Sequence, residues 1–190
     1  MFSRIAPIAL IGAMLWHPAN ASAPTNWHVD ATKSSLTFEV KVSGQTVTGR
    51  FPGFGSLIKF EPTNLAQSSV KITVDTTGIK TQDATRDAML LKPAWFNVLD
   101  FPQAKFQSTS FVSTGPNKYL CKGKLTIKGV TREIDLPFNL IVKGSKAAMS
   151  GQANVKRLDF KIGEGPDFSS GSPVALSVKV IVNIQANKVK

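Results

Sequence analysis

The side chains that commonly carry chemistry are scarce in this chain and poorly placed for it. His17 and His28 are the only histidines and Cys121 the only cysteine. His17 falls in an N-terminal stretch that reads as a removable leader, so one histidine remains, beside Trp27. A lone histidine cannot assemble a zinc-type site, which takes three or four protein ligands. No Ser/His/acid or Cys/His arrangement is evident, because Cys121 and His28 lie in different segments. The carboxylates are few and dispersed, and no pair stands out for acid–base work. "GRFPGFG" and "GEGPDFSSG" are glycine-rich, yet neither matches a phosphate loop or a dinucleotide turn, and no strand–helix unit follows. The residues point to binding rather than catalysis, with no enzyme activity, cofactor or metal expected.

The elements that would position a binding site begin after the leader. In "MFSRIAPIALIGAMLWHPANASA", Arg4 is a short positive region and Ile5 to Trp16 an apolar one, too short to span a bilayer. Small residues follow, so cleavage is expected after Ala21 or Ala23. A new N-terminus at Pro24 would suit a protease badly, which favours Ala21 and a mature domain over 22–190. The 190-residue chain is long enough for one sizeable core. With a single cysteine no internal disulfide forms, and Cys121, at an alternating position in "YLCKGKLTI", reads as a buried thiol. The net charge is +11, and losing Arg4 with the leader lowers it by one. A basic exported protein is drawn to anionic surfaces such as membrane lipid. Export and the scatter of the lysines argue against nucleic acid.

About eight strands follow in series: 35–43, 46–60, 69–76, 104–113, 118–128, 132–142, 147–158 and 174–186. In the first, Leu36, Phe38, Val40 and Val42 alternate with Thr37, Glu39 and Lys41, a period of two that turns one face to a core. Val70, Ile72 and Val74 do the same in the third, Leu125 and Ile127 in the fifth, and Ile134, Leu136, Phe138 and Leu140 in the sixth. "GRFPGFG" marks a bend inside the second. Eight such strands with short turns predict an all-β sandwich or closed barrel, and an eight-stranded barrel is filled by side chains or holds one small ligand. Ser108, Ser110, Ser150, Gly151 and Gln152 either leave space inside or mark weakly packed edges.

One stretch breaks the alternation. "TQDATRDAMLLKPAWFNVLDFP", 81–102, predicts a short helical segment near 83–97, capped by Asp83 or Thr81. Met89, Leu90, Trp95 and Phe96 are too apolar to face water together, so the segment lies across one mouth of the barrel as a lid or plugs it as core. Arg86 and Asp87 are neighbours and point apart on a helix, so each needs its own partner. Arg86 meets either a strand-end acceptor or an anionic head group.

Five blocks, in order, resemble the YceI-like family of polyisoprenoid-binding proteins. They are "WHVDATKSSLTFEVKVSG", "GRFPGFGSLIKFEP", "TQDATRDAMLLKPAWFNVLDFPQAKFQS", "KGKLTIKGVTREIDLPF" and "RLDFKIGEG", and together they span about Trp27 to Ala186. Lys33 and Lys161 stand where many relatives carry His and Gly. The resemblance implies an eight-stranded antiparallel lipocalin-like barrel, exported to the periplasm, that encloses a long isoprenoid chain of quinone or polyprenyl type. Wall candidates are Phe38, Val40, Ile72, Val74, Phe106, Leu125, Ile127 and Phe138. Lid candidates are Met89, Leu90, Trp95 and Phe96, with Arg86 beside them. The expected role is a carrier or sequestering protein. The alternative is a basic interaction protein with a filled barrel that docks transiently on a membrane redox protein or an anionic lipid surface.

Overall fold

A computed structural model describes residues 22–189. The leader lies outside the described residues. Ten strand segments are present: β1 Thr25–Val29, β2 Ser35–Val42, β3 Gln45–Phe51, β4 Phe54–Phe60, β5 Ser69–Asp75, β6 Gln103–Gly115, β7 Lys118–Ile127, β8 Val130–Lys143, β9 Lys146–Lys156 and β10 Val174–Lys188. Among the described residues there is one α-helix, α1, spanning Ala84–Leu90. The antiparallel order β1-β4-β5-β6-β7-β8-β9-β10 returns to β1 and closes an eight-stranded barrel.

Ten segments make eight staves because two staves are broken. β10 pairs with β2 from Val174↔Val42 to Asn183↔Ser35, then with β1 from Ala186↔Val29 to Lys188↔Trp27. β1 and β2 are therefore one stave interrupted by Asp30–Ser34. The Asp30 carboxylate accepts from the Thr32 hydroxyl at 2.7 Å and its amide at 3.1 Å, closing that loop as an Asx-turn. The second break is the expected bend at Pro52-Gly53, between β3 and β4. β1 was not apparent from alternation, because only Trp27 and Val29 of its five residues are apolar and inward. Its pairing with β4 and β10 holds it.

The apolar faces read from the sequence do face inward, and they form two clusters. Trp27, Phe60, Phe111, Tyr119, Cys121, Phe138, Leu140 and Ile184 fill one end, the floor. Phe38, Ile79, Leu90, Trp95, Val155, Phe160, Ile162 and Val174 fill the other, the lid. Two inward glycines let large rings lie flat against the wall. A Cβ at Gly49 would overlap the ring of Phe38, and one at Gly123 the ring of Phe106.

The small residues of β6 and β9 open no space. Ser150 and Gln152 point outward, as does Ser110 beside a bulge. Ser108 accepts the Val70 amide at 2.8 Å. Gly151 is covered by Phe138, whose Cβ would lie 3.0 Å from a Cβ placed there. β8 and β9 pair only between Phe138↔Gly151 and the hairpin. Beyond that fork β9 ends at Lys156, not Leu158, and the 3₁₀ turn Arg157–Phe160 packs against β8, with Phe160 only 2% exposed.

The expected helix over 83–97 is shorter than predicted. Asp83 caps it, its carboxylate accepting the Arg86 amide at 2.9 Å. It stops at Leu90, and turns continue to Asp100 around Pro93, which has no amide to donate. Seven residues are too few for an independent helix, so packing on the barrel keeps it formed.

Candidate functional site

A cavity of about 300 Å³ runs through the barrel interior from floor to lid. Its wall is the inward face of the strands. Phe38, Val40, Ile72, Val74, Phe106, Leu125, Ile127 and Phe138 all line it. From the lid segment Leu90, Trp95 and Phe96 reach it, while Met89 packs behind them in the lid cluster without lining the cavity. Trp95 packs edge-on to Phe168, with centroids 5.2 Å apart, and Phe96 edge-on to Phe51 at 6.0 Å. The lid is thus an aromatic layer built from α1, the turns after it and the 157–173 loop.

Arg86 lies outside the cavity. Its Nε donates to the Thr81 hydroxyl at 3.0 Å, and its guanidinium sits 3.3 Å from the Asp83 carboxylate. Asp87 accepts the Thr81 amide and hydroxyl, each at 2.7 Å, and Lys80 lies 3.7 Å away. Buried Thr81 therefore joins both charged neighbours, and the Arg86-Asp87 pair fixes the start of the lid. The hydrogen bond from the Thr81 hydroxyl, more than any other contact, holds the Asp87 carboxyl below the usual carboxylate range.

The residue that sequence reasoning missed is Arg157. It appeared only as the first letter of "RLDFKIGEG" and was placed inside a strand. It lines the cavity at the lid end and is only 3% exposed. Its Nε donates to the Ala175 carbonyl at 3.0 Å. Nη1 donates to Ile162 at 3.0 Å and Gly163 at 2.9 Å, and Nη2 to Val174 at 2.9 Å and to Phe168. A guanidinium has five N–H groups, so every one is used and none is left for a ligand. All the acceptors are neutral carbonyls, and burial lowers the guanidinium pKa. The cation also lies 5.9 Å from the centre of the Trp95 ring. Gly163 makes the approach possible. Its φ is +69°, and a Cβ there would lie 2.7 Å from Nη1. The available signal was position: Arg157 continues the alternating series Ala153, Val155, shortly before a glycine-rich loop.

Trp27, Phe60, Phe111 and Cys121 also line the cavity near the floor. Burial, with a smaller push from Asp135, raises the Cys121 thiol to about 12, so it is un-ionised and inert at neutral pH. Among the described residues no cluster of three or more His, Cys, Asp or Glu could hold a metal, and no buried side-chain nitrogen or oxygen lacks a partner. Such an interior can bury hydrocarbon but has no free polar group with which to grip a head group.

The comparisons agree with this geometry. A UPF0312 protein of Yersinia pestis (strain Pestoides F) is 28% identical over 189 residues, covering 95% of each chain. One from Yersinia enterocolitica is 27% identical over 199 residues, with full coverage of both. The crystal structure of Burkholderia cenocepacia BcnA is similar, with a TM-score of 0.81 and 30% identity over 84% of this chain and 100% of that one. A polyisoprenoid binding domain from Saccharophagus degradans, implicated in plant cell wall breakdown, has a TM-score of 0.68 at 15% identity. It covers 87% of this chain and 99% of its own, a likeness of fold alone. The YceI-like domain matches residues 27–186, the stretch from the first inward tryptophan to the last inward residue of β10, and the chain belongs to that family.

Proposed function

We propose that the protein is an exported binding protein that holds an isoprenoid lipid in the barrel interior, as a periplasmic carrier or sequestering protein. The observation that carries this reading is the cavity itself: apolar, inside the barrel and lined by the faces of all eight staves. Burial is worth about 0.8 kcal/mol per CH₂ before the costs of ordering are subtracted. Methylene contacts discriminate weakly, so an apolar wall selects for shape and length. The name of the Saccharophagus domain supports an isoprenoid, and the N-terminal stretch supports export. Wall residues Phe38, Val40, Ile72, Val74, Phe106, Leu125, Ile127 and Phe138 would contact the tail, with Leu90, Trp95 and Phe96 above it.

Mass spectrometry of organic extracts of the purified mature protein tests this, with Phe38→Trp to crowd the cavity. A stoichiometric isoprenoid, reduced in the folded variant, is the expected result. No bound lipid and no uptake of an added isoprenyl quinone or polyprenyl phosphate would count against it.

One feature favours a second reading, transient docking on anionic lipid. Exposed Lys143 and Lys146 are directly paired across the β8–β9 hairpin, a repulsive placement that stability does not explain. Lys188 adjoins the hairpin turn, its amide donating to the Ser145 carbonyl, and Val142 and Val189 are exposed nearby. Binding to anionic but not neutral vesicles, lost in high salt, would support it.

A further inference from the structure

Resting on the isoprenoid reading, we propose that the head group of the bound lipid lies in the fork of the barrel wall between β8 and β9, where Arg132 binds its acceptor oxygens.

A proline makes the fork. The Leu140 amide donates to the Asn117 carbonyl at 2.9 Å, so even-numbered residues of β8 bond towards β7 and odd-numbered ones towards β9. Pro137 is odd-numbered and has no N–H to give. The β8–β9 ladder runs from Lys143↔Lys146 to Phe138↔Gly151 and stops one residue short of it. Beyond that point Thr131, Glu133 and Asp135 pair with Thr126, Lys124 and Lys122 of β7, and no strand lies on their other side. On the far lip, Gln152 to Lys156 pair with β10 alone.

The cavity reaches both lips. Ile134 and Leu136 line it from β8, and Ala153 and Val155 from β9. The 3₁₀ turn Arg157–Phe160 closes the fork at its lid end. Lys128, in the β7–β8 turn, fastens that closure, its Nζ donating to the Lys161 carbonyl at 2.8 Å. This turn belongs to the lid. A lipid that enters as the lid lifts can seat its tail inside and leave its head between the lips.

Arg132 stands at this opening with its charge unpaired. Even-numbered side chains of β8 face the interior: Val130 packs in the lid cluster, Ile134 and Leu136 line the cavity, and Phe138 is buried. Arg132 is on the same side, across from Leu125, which lines the cavity. Yet Arg132 is exposed and does not line it. Its side chain therefore leaves the barrel where β8 has no neighbour. Among the described residues its one side-chain hydrogen bond runs from Nη1 to the Thr131 carbonyl at 3.2 Å, and no carboxylate pairs with it. Glu133 and Asp135 alternate to the outer face, across from Lys124 and Lys122. Most of the five N–H groups of Arg132 are thus free, whereas all those of Arg157 are spent. A planar set of charged donors suits acceptor oxygens, whether of a phosphate or of a quinone.

The test is transfer, from neutral phosphatidylcholine vesicles at trace loading, of three probes with one geranylgeranyl tail: the monophosphate, the naphthoquinone and the headless hydrocarbon. Bound probe is quantified by mass spectrometry after the vesicles are removed. Arg132→Gln, Asn154→Glu and Lys118→Gln each lower the net charge by one at an exposed residue, so the core stays packed. Arg132→Gln should weaken binding of a headed probe at least about tenfold and leave the hydrocarbon unchanged, and Arg132→Lys should restore part of the loss. The probe that responds, phosphate or quinone, names the head group. Asn154→Glu, on the opposite lip, offers Arg132 a carboxylate and should also weaken the headed probe. Lys118→Gln, at the far end of β7, should change nothing. Equal binding of headed probes to wild type and Arg132→Gln would overturn the placement and leave the isoprenoid reading standing. Loss with Arg132→Gln but not with Asn154→Glu would put the head outside the fork and overturn it too. No transfer of any probe would overturn both.

Discussion

At the floor, rings from four strands meet with centroids 5.2 to 6.3 Å apart, and each is carried by a continuous ladder of backbone hydrogen bonds. At the lid, a seven-residue helix, a run of turns and the 157–173 loop are joined by side chains: Thr81 to Arg86 and Asp87, and Arg157 to five carbonyls. The Gly163 amide donates to the Ala94 carbonyl at 2.7 Å and links the two parts. Opening the floor means breaking the barrel, whereas opening the lid means breaking a few local polar bonds. Regions with few ladder contacts open sub-globally at less cost than the core. Ligand exchange would accordingly use the lid, and the floor would stay fixed.

The comparison is broken most directly at the floor. Phe60→Ala should cost about 4 kcal/mol of global stability, seen as a lower urea midpoint with one cooperative transition. Retention of wild-type stability would show that the floor is not a structural unit. At the lid, Arg157→Lys keeps the charge but offers three donors where five are used. It should cost about 2–3 kcal/mol, and hydrogen exchange should show the loss first in α1 and residues 157–173. Uniform loss of protection over the barrel strands would erase the distinction between the ends.

Asp87 sharpens the contrast through pH. Its folded pKa is lowered by the Thr81 hydroxyl first, and also by the Thr81 amide and nearby Lys80 and Arg86. Its contribution is therefore complete above the unfolded value of about 4 and is lost as pH falls through the lower folded value. Asp87→Asn should lower the melting temperature at pH 7 and flatten its decline at acid pH. An unchanged slope would remove Asp87 from the lid's support. The smallest effect belongs to the wall between the ends. Lys179 and Glu39 pair at 2.9 Å across β10 and β2, both partly exposed. Lys179→Ala should change stability by no more than about 0.5 kcal/mol, and a larger loss would make the wall as sensitive as its ends.

Much of the wall was legible in the sequence, because a strand's inward face follows from a period of two within a few residues. Phe38, Val40, Ile72, Val74, Phe106, Leu125, Ile127 and Phe138 all fall on the cavity for that reason. The lid was legible as apolar residues with nowhere else to go, though Met89 lies one layer back and the helix ends at Leu90. Arg86 was not legible, because its partners Thr81 and Asp83 are set by the local fold. Arg157 was harder still. Its acceptors come from five residues of the following loop and β10, and a carbonyl carries no signature in a sequence.

What the sequence determined by itself is the sidedness of the chain: which face of each strand is apolar, where bends fall, and that one segment must cover a mouth. Those properties are local, set by alternation, by proline and glycine, and by helix capping. Tertiary structure alone decided that the interior is hollow, how large the hollow is, and that a buried cation closes it without a carboxylate. A cavity is the volume left over when strand number sets the wall's radius and rings from distant strands fill the inside. That remainder depends on all of them at once, so no stretch of the chain encodes it.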